Sequence, residues 1–183
     1  MNDHVIKKIS SLIYNNAKDE NDELLTLIDY GLKMMPELAF SYQCGKEIFK
    51  NREDILGSSD YLWEREYTII KGYGPSDLVF LSKDKNLPNY VIEFKLDDTW
   101  YKYRNDINKL TDLKDKNWVK LFCSFKHVFI ERDKGINQAE KFLQKLREIF
   151  GKNARLVEEA RTFKTKVKYD HKDYFLYTFW QIY

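Results

Sequence analysis

The sequence predicts an α/β (α+β) fold, a central mixed β-sheet flanked by helices, with extra N-terminal helices and a C-terminal β-hairpin. Three observations predict it. Apolar residues recur at helical spacing through the first third, the period shortens to strand alternation from about Trp63, and a helical segment then separates two apolar strand-like runs. A helix followed by a strand crosses over the sheet, so the sheet is expected to be mixed. One domain is expected for 183 residues, with a core at about 36–125, a helical extension at 1–35, and a C-terminal helix and hairpin at 136–183.

Val5, Ile6, Ile9, Leu12 and Ile13 form the stripe of a first helix. After a polar gap, Asp22 is placed to cap a second, carrying Leu24, Leu25, Leu27, Ile28 and Leu32. Pro36 suits the first turn of a third, PELAFSYQCGKEIFK, since its fixed φ is helical and its missing N–H would lack an internal partner. WEREYTII, SDLVFLS and YVIEFKL follow as an antiparallel meander, punctuated by Gly-Tyr-Gly-Pro and by a polar loop. Trp100, Tyr103, Ile107 and Leu110 mark one face of the crossover helix, and WVKLFCSF is the next strand. NQAEKFLQKLREIF reads as a later helix, and TFKTKVKYD with DYFLYTFWQIY as the terminal hairpin, its aromatics on both faces.

Composition narrows the function classes. Apolar residues make up 43% and aromatics 16%, too many for a disordered chain. A net charge of +2 means that any nucleic-acid partner must meet a locally basic surface. Cys44 and Cys123 fall in a buried helix and a buried strand, so neither a disulfide nor a zinc site is expected, and His4, His127 and His171 lack ligand spacing. With no long apolar run, no export signal and no phosphate-binding GxxxxGK[ST] loop, the chain is expected in the cytoplasm, off the membrane, and without nucleoside-triphosphate chemistry of its own.

The chemistry concentrates in SDLVFLSKDKNLPNYVIEFKL, from Ser76 to Leu96. Alternation sets Glu93 and Lys95 on one strand face, and Asp77 stands on the preceding strand. Two carboxylates brought together there repel unless a cation lies between them. Magnesium is the natural hard ion, because it takes one or two carboxylates together with water and phosphate.

GPSD, fifteen residues, then EFK resembles the signature of the PD-(D/E)xK nuclease superfamily, although Ser76 interrupts the literal Pro-Asp pair. The resemblance spans roughly Pro36 to Phe125 by element order, and it implies a restriction-endonuclease-like core. It further implies a divalent-metal-dependent endonuclease or exonuclease that hydrolyses phosphodiester bonds, most plausibly in DNA, with Mg2+ or Mn2+. Asp77 and Glu93 would hold the metal, Phe94 would offer its carbonyl, and Lys95 would orient or help deprotonate the attacking water. The resemblance implies, too, that an acidic residue is often added from the helix before the meander, a role for which Glu37 and Glu47 compete. Glu37 is preferred over Glu47, because it lies between Cys44 and Ile48 in the core-facing stripe while Glu47 sits at the polar edge; its place in the first helical turn also suits the helix dipole. Glu64 and Glu66 share a strand face, where exposure on an edge explains them.

Lys102, Arg104 and Lys109, then Lys114, Lys116 and Lys120, could track a nucleic-acid backbone or form a solvated face. Asp106 and Lys109 flank the apolar stripe, at the spacing of a helical ion pair. Lys164, Lys166 and Lys168 make one basic strand face, a backbone-binding stripe or a protected edge. The alternative to a nuclease is a catalytically inactive module of the same fold that binds nucleic acid or a partner protein. Cutting both strands with one site per chain would call for a homodimer.

Overall fold

The computed structural model describes residues 3–28, 31–130, 138–168 and 171–183. Helix α1 (Asp3–Ile28) leads through a 3-10 turn (Gly31–Met34) to α2 (Glu37–Lys50) and the short α3 (Arg52–Leu56). Strands β1 (Tyr61–Tyr67), β2 (Ser76–Ser82) and β3 (Asn89–Leu96) precede α4 (Trp100–Asp112) and β4 (Trp118–Ile130). Helix α5 (Gln138–Phe150) then leads to β5 (Ala154–Leu156), β6 (Arg161–Lys168) and β7 (His171–Ile182).

The sheet is mixed, seven-stranded and ordered β1-β2-β3-β4-β7-β5, with β6 also pairing β7. Among the described residues only β3 and β4 run parallel, joined by α4, and every other pairing is antiparallel. Side-chain alternation splits the core into two layers. Leu78, Phe80, Ile92, Phe94, Cys123, Phe125 and Tyr177 face α1 and α2. Val79, Val91, Phe122, Leu176 and Trp180 face α4 and α5. β4 pairs along one edge of β7 and β5 and β6 along the other, while its faces are buried by the two layers, Phe175, Tyr177 and Phe179 in one and Leu176, Trp180 and Ile182 in the other, which accounts for its two-sided aromatic run.

Four expectations need adjusting. The two N-terminal helices are one, because buried Asn21 in the polar gap binds the Lys164 carbonyl and the Leu32 N–H instead of breaking the helix. Asp22 is therefore internal, and its carbonyl accepts from Thr26. Pro36 sits just before α2 with ψ 134 rather than in its first turn. β1 starts earlier, at Tyr61, and stops at Tyr67, because β2 begins at Ser76 and their pairing ends at Tyr67↔Ser76; β4 extends to Ile130 because β7 pairs along it as far as Ile130↔Lys172. The elements α3 and β5 are too short to carry a period. Cys44 and Cys123 are buried and free, and among the described residues no helix is long and apolar enough to cross a membrane.

The approach of α2 to the sheet depends on Gly45. A Cβ there would lie 2.7 Å from both Leu78 and the Trp63 ring. Gly45→Ala is expected to lower the unfolding free energy by about 1–2 kcal/mol, the overpacking outweighing the helix-propensity gain. Urea denaturation measures it.

Candidate functional site

β2 and β3 pair through Phe80↔Tyr90, Val79↔Val91 and Leu78↔Ile92, and the ladder ends there. The next step sets Asp77 beside Glu93, both on the face covered by α4. Beyond the ladder, carboxylates replace the missing strand. Asp77 Oδ2 accepts the Phe94 N–H at 2.7 Å, and Glu37 Oε2, from the start of α2, accepts the Leu96 N–H at 2.8 Å. The edge of β3 is thus satisfied by two acidic side chains from different elements.

Lys95 is buried, 7% exposed, and its ammonium lies 2.9 Å from Glu37 Oε1 and 2.8 Å from Asp106 Oδ2. It also donates to the Phe94 carbonyl at 2.7 Å. Glu93 is 1% exposed, and its Oε1 lies 2.8 Å from Lys109 Nζ, which donates to the Pro75 carbonyl as well. Asp106 and Lys109 therefore reach across to β3 instead of pairing with each other along α4. Four carboxylates meet two ammonium groups. With all ionised, two negative charges remain uncompensated.

Electrostatics follows from that imbalance. Burial pushes the Asp77 carboxyl up to about 6, against the Phe94 N–H and the Lys95 charge. Burial, then the charge on Asp77, pushes Glu93 up to about 8, and Lys109 only partly offsets this. Burial works against the Lys95 ammonium, but Asp106 and Glu37 outweigh it and hold the group protonated well above the ordinary lysine range. Glu93 Oε1 and Asp106 Oδ2 are buried without a directed hydrogen bond, despite the ammonium near each. The raised proton affinity of Asp77 and Glu93 suits a cation.

Among the described residues, no group of three or more His, Cys, Asp or Glu side chains is arranged to hold a metal ion. A divalent ion here would rest on Asp77 and Glu93, with backbone, water or substrate oxygens filling its shell, an arrangement magnesium tolerates. The Phe94 carbonyl serves Lys95 in this arrangement. Glu37 rather than Glu47 joins the group; Glu47 pairs with Lys50 on the surface. Glu64 and Glu66 are exposed on the edge strand β1.

The basic residues divide. Lys102 is exposed and paired with Asp98 at 2.9 Å, and Arg104 and Lys164 are exposed. Lys109, expected on the surface, is 6% exposed, because Glu93 and the Pro75 carbonyl draw its ammonium under α4. The side chains of Lys166 and Lys168 lie outside the described residues, as does that of His171. His4 is exposed on α1 and His127 packs near the Phe175 ring, both outside this group. Comparison of the chain with protein-family models, curated proteins and solved structures finds no match.

Proposed function

We propose that the chain is a metal-dependent nuclease with a restriction-endonuclease-like core, hydrolysing phosphodiester bonds in DNA. The observation that carries this reading is the pair Asp77, half-buried, and Glu93, buried, two carboxylates on adjoining strands whose proton affinities are raised by burial and by excess negative charge. Bound magnesium or manganese would supply Lewis-acid polarisation of the scissile phosphate. Asp77, fixed by the Phe94 N–H, and Glu93 would hold the ion, and Glu37 acts through Lys95 and the Leu96 N–H. Lys95 is held charged, so it has no lone pair with which to take a proton from water. Its part is electrostatic: a fixed positive charge beside the developing phosphate charge.

End-labelled linear and circular DNA, incubated with Mg2+, Mn2+ or chelator, tests the proposal. Metal-dependent cleavage is expected, and products from the circle would define endonuclease action and prompt a test for a homodimer. Wild-type cleavage indistinguishable from that of Asp77→Asn would refute it.

One observation favours a second reading, a module of this fold that binds nucleic acid or protein without cutting. Lys109 already sets a cation 2.8 Å from Glu93. If that ammonium serves in place of a metal, divalent ions leave the melting temperature unchanged, and binding depends on the exposed Lys102, Arg104 and Lys164.

A further inference from the structure

A further group of basic residues lies on the α4 face of the sheet, where the chain leaves α4 and enters β4. A cavity of about 480 Å³ is lined there by Lys114, Lys116, Trp118, Lys120 and Tyr183, among others. This volume suits a small organic ligand. Lys120 is 7% exposed, yet no carboxylate of a described residue lies within ion-pairing distance of it. The one hydrogen bond that its ammonium makes to a described residue is a long one, 3.3 Å, to the Leu113 carbonyl.

Every other buried ammonium in the described chain has an acidic partner: Lys95 has Glu37 and Asp106, and Lys109 has Glu93. Burial and the neighbouring Lys114 charge both push the Lys120 ammonium below its ordinary range. A buried cation without a counter-charge is costly. Lys114 binds the Thr111 carbonyl at 2.9 Å, and Lys116 forms no ion pair with a described residue. The acidic side chain in the lining, Asp115, accepts the Asn117 N–H. The cavity therefore presents three lysines against one aspartate, with the half-buried Trp118 and the exposed Tyr183 as aromatic walls.

We propose that this cavity binds a phosphate monoester carrying a flat ring, the phosphate on Lys120, Lys114 and Lys116 and the ring against Trp118. Multiple ammonium groups recognise a dianion as point charges, and a ring supplies the apolar contact that inorganic phosphate lacks. The site is independent of the acidic group, so its test runs in chelator and in the Asp77→Asn background.

Calorimetry at near-physiological salt with adenosine 5′-monophosphate, adenosine and inorganic phosphate reads it out. Saturable binding of the monophosphate is expected, at least about 10-fold tighter than adenosine and competed by phosphate, with Lys120→Met losing at least about 10-fold. Should Lys120→Met not fold, Lys114→Ala and Lys116→Ala, both at exposed positions, are each expected to lose about 3-fold or more. A 5′-phosphorylated oligonucleotide that displaces the monophosphate would identify a strand end as the source, and failure to displace it a free metabolite; either supports a monoester site. No saturable binding of the monophosphate, or binding unchanged in the folded lysine variants, overturns the proposal.

Discussion

Asp77→Asn is expected to lower metal-dependent DNA cleavage by at least about 10³-fold while leaving the protein folded, because it removes one of two anionic ligands but keeps an oxygen for the Phe94 N–H. The amide conserves shape and hydrogen bonding at the end of the β2–β3 ladder. It loses the charge that repels Glu93 and attracts a cation. Single-turnover cleavage with excess Mn2+, beside circular dichroism of the same preparation, separates a lost ligand from a lost fold. A variant that folds and cuts like wild type would remove Asp77 from the chemistry.

The second large effect concerns stability and pH. Glu93 binds its proton more tightly in the folded protein, at about 8, than the 4.5 of an unperturbed glutamate. Its contribution to stability is therefore fully present below pH 4.5 and is lost as pH rises through about 8. Asp77, pushed up to about 6, acts with the same sign at lower pH. Glu93→Gln never ionises and escapes this loss. Relative to wild type, the metal-free variant is expected to gain roughly 2–4 kcal/mol between about pH 5 and about pH 9, at about 1.4 kcal/mol per pKa unit. Chelated urea titrations at the two pH values measure it. Equal pH dependence in the two proteins would mean that Glu93 is not under electrostatic stress. The same stress makes metal capture proton-coupled: divalent ions should bind progressively better through this range, because the ligands must be deprotonated.

The sheet was legible where periods were long. The meander, the crossover through α4, β4 and the terminal hairpin all follow from apolar alternation and turn residues. Register was not legible, since the loop between β2 and β3 is long; only the pairing Leu78↔Ile92 sets Asp77 against Glu93. The break expected near Asn21 failed for a tertiary reason, because its amide is satisfied by β6 and the 3-10 turn, contacts invisible to local pattern. Asp106 and Lys109 illustrate the same limit. Their i,i+3 spacing suggested a self-contained helical pair, whereas burial of α4 against β3 offers each a stronger partner in Lys95 and Glu93. Glu37 was placed by helical phase, but that its two oxygens serve Lys95 and the Leu96 N–H depends on where α2 begins relative to the end of β3. Lys120 gave no sign of being unpaired, because sequence records a lysine and not the absence of a neighbouring acid.

The central claim is that Asp77 and Glu93 carry enough uncompensated charge to capture a divalent cation despite Lys95 and Lys109. Calorimetric titration of the protein with Mn2+ near pH 8, alongside Asp77→Asn and Glu93→Gln, tests it most directly. One saturable site in wild type, weakened at least about 10-fold in each variant, is the expected result. Absence of binding by wild type, or equal binding by all three proteins, would contradict it.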